Sequence, residues 1–214
     1  NYISIEFEKN SLLEIIGSNA FNGTYISCLL GTIIPDNVTK IGSSAFKYSF
    51  GYWENISFSI KSKLKEIGRD AFHGCEFKTI CLPSCVSEFK SNWCSYTKNV
   101  ENIKIIPNEI KNIISYEDKF ILGKSNSKSD IYDVILFAIR SLTEVEIPSF
   151  IKQIGKSAFQ NCEKLTKATF KDDSELQIID EFSFADSSLE SITIPSHVKK
   201  IGNSSFRNCF KLKK

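Results

Sequence analysis

Hydrophobic residues recur along the chain with one spacing, an isoleucine followed five residues later by a phenylalanine. Four copies of this spacing read Ile-Gly-x-x-Ala-Phe, and two more keep the two apolar positions. The pairs are Ile16/Phe21, Ile41/Phe46, Ile67/Phe72, Ile154/Phe159, Ile179/Phe184 and Ile201/Phe206. A repeat decides the fold of the whole chain, because one unit cannot bury its apolar face without its neighbours.

A second pattern precedes the prolines, as in Val145-Glu146-Ile147-Pro148. Apolar and variable residues alternate there, which predicts a short strand with one buried face. Proline has no N–H to donate, so it ends the strand's hydrogen bonding. The last strand residues are Ile34, Leu82, Ile106, Ile147 and Ile194, with Phe58 and Phe170 at equivalent positions without a proline.

The two patterns together give a period of 22–26 residues and about eight units, the terminal ones incomplete. We expect the glycine of Ile-Gly-x-x-Ala-Phe to form a tight corner, and the alanine to leave room for an inward phenylalanine ring. Near residues 115–141, two short apolar runs flank a polar octet, which predicts a hairpin insert. The sequence therefore predicts a single solenoid over residues 1–214, mostly strand and loop with little helix.

Residues 147–165 read Ile-Pro-Ser-Phe-Ile-Lys-Gln-Ile-Gly-Lys-Ser-Ala-Phe-Gln-Asn-Cys-Glu-Lys-Leu and closely resemble the BspA-like leucine-rich repeat, as do residues 194–212. The resemblance covers the chain apart from degenerate units near residues 84–113 and the insert. It implies an α/β-type repeat protein, a leucine-rich-repeat solenoid with short parallel strands on its concave face. It also implies display on bacterial or protist cell surfaces, where such proteins are associated with adhesion and with binding of host proteins.

Charge and hydropathy exclude two classes of partner. The formal net charge is only +2, and Arg69, Arg140 and Arg207 are the arginines of the chain, so nothing favours nucleic acid. The longest apolar stretches, such as residues 134–138, are far shorter than the roughly 20 residues that span a bilayer. Since the chain begins at Asn1 and has no methionine, we expect a piece of a longer protein whose targeting signal is missing.

The chemically reactive residues do not predict an enzyme, a metal site or a cofactor. Cys75, Cys162 and Cys209 each follow a repeat phenylalanine by three residues, so we expect buried thiols that act as small hydrophobic side chains. One disulfide among Cys75, Cys81, Cys85 and Cys94 is left open, and their irregular spacing does not favour zinc. His73 and His197 occupy different repeat positions and are expected to be loop or surface residues.

The variable strand residues are the candidate binding surface. If the apolar strand residues face the core, these residues form a polar strip on the concave face. The polar strip comprises Asn55, Ser57, Thr79, Cys81, Asn102, Lys104, Glu144, Glu146, Lys167, Thr169, Ser191 and Thr193. An alternative binding loop contains Tyr48, Phe50 and Tyr52, aromatic residues that the repeat does not explain.

These features predict a non-enzymatic protein-binding or adhesion module of a cell-surface or secreted protein. Its concave face would recognise a protein or glycoprotein of the host or extracellular environment, without inserting into a membrane. The alternative is a cytoplasmic structural or scaffold solenoid that mediates protein–protein assembly. Unpaired thiols are the natural state in that compartment.

Overall fold

The computed structural model describes residues 3–4, 6–8, 10–24, 26–28, 34–49 and 57–213. Within these ranges the chain forms short β-strands and no helix, so the α/β label expected from the sequence is too broad for this β-solenoid. The strands are β1 (Ile3–Ser4), β2 (Ile15–Ile16), β3 (Ile26–Cys28), β4 (Lys40–Ile41), β5 (Glu66–Ile67), β6 (Thr79–Pro83), β7 (Glu88–Phe89), β8 (Asn102–Ile106), β9 (Ile114–Tyr116), β10 (Phe120–Gly123), β11 (Val134–Ala138), β12 (Glu144–Ile147), β13 (Gln153–Ile154), β14 (Lys167–Phe170), β15 (Ile178–Ile179), β16 (Ser191–Ile192) and β17 (Lys200–Ile201). The chain divides into two compact units, residues 1–114 and 115–214.

The first unit stacks its coils through parallel strand pairs. Strands β2, β4, β5 and β7 form one sheet in that order. Their register aligns the repeat isoleucines Ile16, Ile41 and Ile67, and Phe89 continues the column. Strands β6 and β8 pair separately and are also parallel, as are β1 and β3. The predicted parallel stacking of short strands is confirmed.

The second unit has the same arrangement and includes the hairpin. Strands β12, β14 and β16 form a three-stranded sheet, and a six-stranded sheet has the order β17-β15-β13-β11-β10-β9. Strands β10 and β11 pair antiparallel, with Phe120 opposite Ala138. Strand β11 also pairs parallel with β13, with Ile135 opposite Ile154. The second strand of the hairpin is therefore a coil of the stack and not an appendage to it.

The residues after each repeat isoleucine form what we call the turn wall, residues 17–24, 42–49, 68–75 and 90–97 in the first unit and 155–162, 180–187 and 202–209 in the second. In the coil of Phe46, the N–H groups of Ser44, Phe46 and Tyr48 donate to carbonyls of the next coil, each at 2.8 Å. The N–H groups between them donate within their own coil. Donation thus alternates between the next coil and the same coil. This alternation requires a left-handed backbone two residues before and two residues after Phe46, and φ is 54° at Ser44 and 51° at Tyr48.

A column of aromatic rings fills the core behind each turn wall. The Phe46 ring lies 5.2 Å from that of Phe21 and 5.5 Å from that of Phe72, nearly parallel to both. Beyond Phe72 the backbone pattern places Trp93 in the alanine position and Cys94 in the phenylalanine position, because the Phe72 N–H donates to the Trp93 carbonyl at 2.8 Å. The large and small side chains are exchanged there, and the turn itself is retained.

In the second unit the ring column begins in the hairpin. Phe159 is completely buried, 4.9 Å from Phe184 and 6.0 Å from Phe120 of β10. The backbone of Ala138 occupies the phenylalanine position in that coil, since its N–H donates to Ala158. The Phe120 ring therefore supplies an aromatic neighbour that the Ala138 side chain cannot.

The repeat glycine lies where the strand passes into the turn, and its φ is not in the left-handed region. It lies against the preceding coil, where a Cβ on Gly68 would be 2.6 Å from the carbonyl carbon of Gly42. The residue three positions after each proline is buried at Val38, Val86 and Ile151, but Ile110 is 54% exposed. Asn108 redirects that turn, because its N–H donates to the Ser84 hydroxyl, which donates to the Ile110 carbonyl.

Candidate functional site

Most described residues of the polar strip lie on strands of two separate sheets, β6–β8 in the first unit and β12–β14–β16 in the second, and Ser57 and Thr193 lie outside these strands. We call the residues of the first unit the first patch and those of the second unit the second patch. The first patch is Ser57, Thr79, Cys81, Asn102 and Lys104, and the second patch is Glu144, Glu146, Lys167, Thr169, Ser191 and Thr193. Asn55 lies outside the described residues.

In the first patch, parallel pairing brings residues of neighbouring coils side by side. Thr79 lies opposite Asn102 in the β6–β8 register, and Cys81 lies opposite Lys104. The intervening Ile80 is buried, whereas Asn102 and Lys104 are exposed. The alternation that the sequence predicts is therefore present, and it directs polar groups of the patch to solvent.

The second patch carries opposite charges in adjacent positions. Glu144, Lys167 and Ser191 form one row across β12, β14 and β16, and Glu146 lies opposite Thr169. All of them except Thr169 are exposed. The surface can offer carboxylate, ammonium and hydroxyl groups at the spacing of one coil, which suits a polar partner surface.

Three residues beside the second patch have no counterpart in the strip predicted from sequence. The Lys171 ammonium lies 3.5 Å from the Glu146 carboxylate. Together with Asp172 and His197, Lys171 lines a cleft of 460 Å³ that also contains Lys167 and Thr193. These residues follow the strands in the turns of their coils, where the alternating strand pattern no longer assigns a direction to side chains.

The predicted alternative loop is only partly described. Tyr48 lies in the regular turn wall, with 44% of its surface exposed. The repeat therefore does account for its position, contrary to the expectation from sequence. Phe50 and Tyr52 lie outside the described residues.

His73 lies in a turn, as expected of a loop residue, but it is not on the surface, because only 9% of it is exposed. Its Nδ1 lies 2.7 Å from the Ser95 hydroxyl, and its Nε2 lies 3.0 Å from the Tyr48 hydroxyl. Burial lowers the pKa of His73, Lys47 lowers it further, and Asp70 opposes both. His197, by contrast, is exposed as predicted.

The contact between Ser95 and His73 resembles the nucleophile and base of a hydrolase, but its surroundings do not fit that chemistry. Ser95 is 2% exposed, so a substrate carbonyl cannot reach its oxygen. The nearest Asp70 oxygen is 3.9 Å from Nδ1, the same nitrogen that faces Ser95. A catalytic triad instead needs the carboxylate and the nucleophile on opposite ring nitrogens. The contact therefore serves to hold His73 between neighbouring coils.

Three of the cysteines, Cys75, Cys162 and Cys209, share a structural position with hydroxyl residues. These three and Cys85 are free thiols. The Cys75 thiol donates to the Phe46 carbonyl of the preceding coil at 3.0 Å, and Ser49 makes the same contact with Phe21 at 2.6 Å. Thr24, Thr97 and Ser187 occupy the equivalent position in their coils. Cys75 is buried as expected, but it acts as a hydrogen-bond donor and not only as a small hydrophobic side chain.

Across the described ranges, no cluster of His, Cys, Asp and Glu side chains could hold a metal ion. The same part of the chain contains no helix long and apolar enough to cross a membrane.

Solved structures show where this architecture recurs. A leucine-rich cell surface protein from Faecalibacterium prausnitzii matches 98% of this chain at 19% identity, with a TM-score of 0.64. The pneumococcal vaccine antigen PcpA matches 97% at 23% identity, with a TM-score of 0.74. A leucine-rich repeat protein from Eubacterium ventriosum matches 95% at 23% identity, with a TM-score of 0.70. The match spans 65%, 54% and 57% of those chains, respectively.

No curated protein matches the sequence. The BspA type leucine rich repeat region matches it in six copies, over residues 1–52, 14–119 and 125–214. These ranges include nearly the whole chain and both units of the solenoid. The repeat isoleucines, the ring columns and the parallel strand pairs thus have one explanation, and the chain belongs to the BspA-type leucine-rich repeat family.

Proposed function

We propose that this chain is a recognition module of a cell-surface or secreted protein, and that the second patch binds a protein or glycoprotein partner. The observation that carries the proposal is the row formed by Glu144, Lys167 and Ser191, which places exposed polar groups on three successive strands. Repeat families of this kind bind proteins through surfaces built from one or two residues per coil. The description of the F. prausnitzii protein as a cell surface protein supports the location.

The mixed charge of the second patch favours a polar protein surface over a lipid or a polyanion. Glu144 and Glu146 alternate along β12, and Lys167 lies on the adjacent strand. Opposite charges at fixed spacing favour a partner whose charges have the complementary pattern. They disfavour a partner that would place like charges against them. The buried residues between them, such as Val145, keep the strand direction and hence the spacing of the charges.

The test reverses three charges of the patch in the variant Glu144→Lys, Glu146→Lys and Lys167→Glu. Binding is measured by biosensor against a panel of purified plasma and extracellular-matrix glycoproteins, each immobilised separately. We expect at least one of them to bind the unmodified chain, and the triple variant to bind at least tenfold more weakly. The melting temperature should stay within a few degrees of wild type, because the reversed side chains are exposed.

A matched control changes the net charge by the same amount on and directly beside the turn wall. The variant Lys156→Glu, Glu163→Lys and Glu181→Lys reverses two carboxylates and one ammonium there, and should leave binding unchanged. Loss of binding in both variants would assign the effect to overall charge, and unchanged binding in the patch variant would overturn the proposal. So would the absence of binding to every glycoprotein in the panel.

A cytoplasmic scaffold is the second candidate function, and the free thiols favour it. Reduced cysteines are usual in the cytosol, whereas secreted proteins tend to form disulfides. The buried thiols Cys75 and Cys209 donate hydrogen bonds to carbonyls, so they also have a structural reason to remain reduced. Fractionation of cells that produce the full-length protein separates the candidates, since surface protein is accessible to added protease and cytoplasmic scaffold is not.

A further inference from the structure

Three aromatic rings from successive coils lie together on the turn wall of the first unit. The Tyr48 ring lies 4.9 Å from the His73 ring at 88°, and the Tyr96 ring lies 4.8 Å from it at 48°. His73 is nearly buried between them, whereas Tyr48 and Tyr96 are 44% and 45% exposed. We call these three residues the aromatic patch.

The aromatic patch exists because coil stacking places distant residues in register. The Tyr48 N–H donates to the His73 carbonyl at 2.8 Å. The Tyr48 ring then lies over Gly74, where a Cβ would be 2.6 Å from the ring edge. The Ser95 hydroxyl and the Tyr48 hydroxyl hold the two nitrogens of the imidazole. The rings are thus fixed in position, and an arriving ligand would meet a surface that is already formed.

Both tyrosines occupy a backbone position that favours other residues. Their φ values are 51° and 57°, the left-handed region in which a bulky side chain is strained. The equivalent position two residues after the repeat phenylalanine holds Gly23, Gly74, Asn161, Asp186 and Asn208 in the remaining described coils. Two tyrosines in the strained position, with one coil between them, are not explained by packing alone.

The exposed residues around the aromatic patch are mostly polar or charged. Tyr48 and Tyr96 are the exposed large apolar side chains among the described turn-wall residues of the first unit. Lys47 and Asp70 flank the rings and pair with each other at 3.7 Å. The Lys47 ammonium also lies 5.4 Å from the centre of the Tyr48 ring. An apolar peptide would find little further apolar surface to bury here, and the charges of Lys47 and Asp70 offset each other.

We propose that the aromatic patch binds a neutral glycan, on a wall different from the second patch and independently of it. A pyranose ring is amphipathic: one face carries C–H groups that stack on the negative face of an aromatic ring, and its edge carries hydroxyls. Tyr48 and Tyr96 supply the ring faces, while Asp70 and Lys47 supply an acceptor and a donor for hydroxyls. Sites for small ligands usually combine aromatic side chains with a small number of polar groups, as this patch does.

The test uses saturation-transfer NMR on the intact chain with separate soluble probes: maltohexaose, cellohexaose, chitohexaose and N-acetyllactosamine. We expect transfer to at least one of these neutral oligosaccharides. The double variant Tyr48→Asn and Tyr96→Asn should weaken that binding at least tenfold. Its melting temperature should be equal to or above that of wild type, because asparagine accepts the left-handed backbone found at Asn161 and Asn208.

The control variant Ile110→Asn removes an apolar side chain that is 54% exposed in the same unit, and should leave glycan binding unchanged. Three outcomes would overturn the proposal. They are no transfer to any of the four probes, equal binding by the double tyrosine variant, and binding only of a heparin hexasaccharide as charged comparison. A double variant that loses both binding and its melting transition would be replaced by Tyr96→Phe and Tyr96→Asn, of which only the second should lose binding.

Discussion

Replacement of Phe159 by alanine tests the ring column of the second unit most directly. Phe159 is completely buried and has an aromatic neighbour on each side, Phe184 at 4.9 Å and Phe120 at 6.0 Å. Removal of a buried phenylalanine ring costs about 3–5 kcal/mol of unfolding free energy. Because two ring pairs are lost, each worth about 0.5–1.5 kcal/mol, we expect the upper half of that range.

Phe206 provides the matched comparison, since it occupies the same repeat position. It is only partly buried, and its stacking partner is Phe184 at 5.5 Å. Phe206→Ala should therefore cost about 1–2 kcal/mol, the value of partial burial and a single ring pair. Lys156→Ala removes an exposed ammonium that lies 3.7 Å from Glu181, and should cost less than about 1 kcal/mol.

The measurement is urea denaturation followed by far-ultraviolet and near-ultraviolet circular dichroism, with the unfolding free energy obtained by linear extrapolation. Agreement between the two signals is needed, because stacked repeats can unfold in parts. A value for Phe159→Ala within about 0.5 kcal/mol of wild type would refute the assignment of the ring column. Equal losses for Phe159→Ala and Phe206→Ala would refute the argument from two-sided stacking.

The remaining predictions concern the thiols and His73. Burial raises the pKa of Cys75 and of Cys162, so alkylation of the native chain should modify the part-exposed Cys81 first and the other two only after denaturant is added. Equal rates for Cys81 and Cys162, measured by mass spectrometry of the peptides, would contradict the buried positions. The folded pKa of His73 lies below its ordinary value of 6.5, so the stability it contributes is complete above pH 6.5 and is lost as the pH falls below that value. The melting temperature of His73→Gln should fall less than that of wild type between pH 7 and pH 5, and parallel pH profiles would contradict the assignment.

The sequence was sufficient for the repeated features of the fold. The spacing of Ile41 and Phe46 predicted the stacked repeat and the inward ring, because each apolar position recurs in several coils. It did not predict that Ile41 lies on a strand of its own, β4, which pairs parallel with β2 and β5. The tight corner expected of the repeat glycine is only part of its role. The close approach of Gly68 to Gly42 is a contact between coils that a single repeat does not contain.

Positions filled by different residue types were harder to recognise. One place in the repeat is filled by Cys75, Ser49 and Thr24. A pattern that sorts residues into hydrophobic and polar puts the thiol in one class and the two hydroxyls in the other. Their common property is a short side chain that donates to a carbonyl, and this became visible only in the hydrogen bonds. In the coil of Trp93 and Cys94 the turn is also kept, but the large residue is at the alanine position and the small residue is at the phenylalanine position. A search for the usual order of a small and a large residue therefore could not identify this turn.

The candidate sites divide in the same way. The alternation in β12 predicted which side chains of the second patch face solvent, and the parallel register confirmed their rows. Tyr48 was a candidate from the sequence, but its contact with His73 and Tyr96 could not be predicted, because the three residues lie more than 20 residues apart and His73 occupies a different repeat position. They meet only after the coils are stacked, and the turn wall has no alternation of buried and exposed residues that would indicate their direction.

The alternating hydrogen bonds of the turn wall have an electrical consequence. The peptide group between Ala45 and Phe46 accepts from the Phe21 N–H and donates to the Ala71 carbonyl, and the next group continues to Trp93. Each such row is a chain of peptide dipoles that point the same way, as in an α-helix, and neighbouring groups polarise one another. The rows therefore give the turn wall of each unit a polarity, with partial positive charge toward the coil of Cys94 in the first unit and toward the coil of Phe206 in the second. The described coils contain no helix, yet each unit thus acquires an oriented field along its own stacking direction.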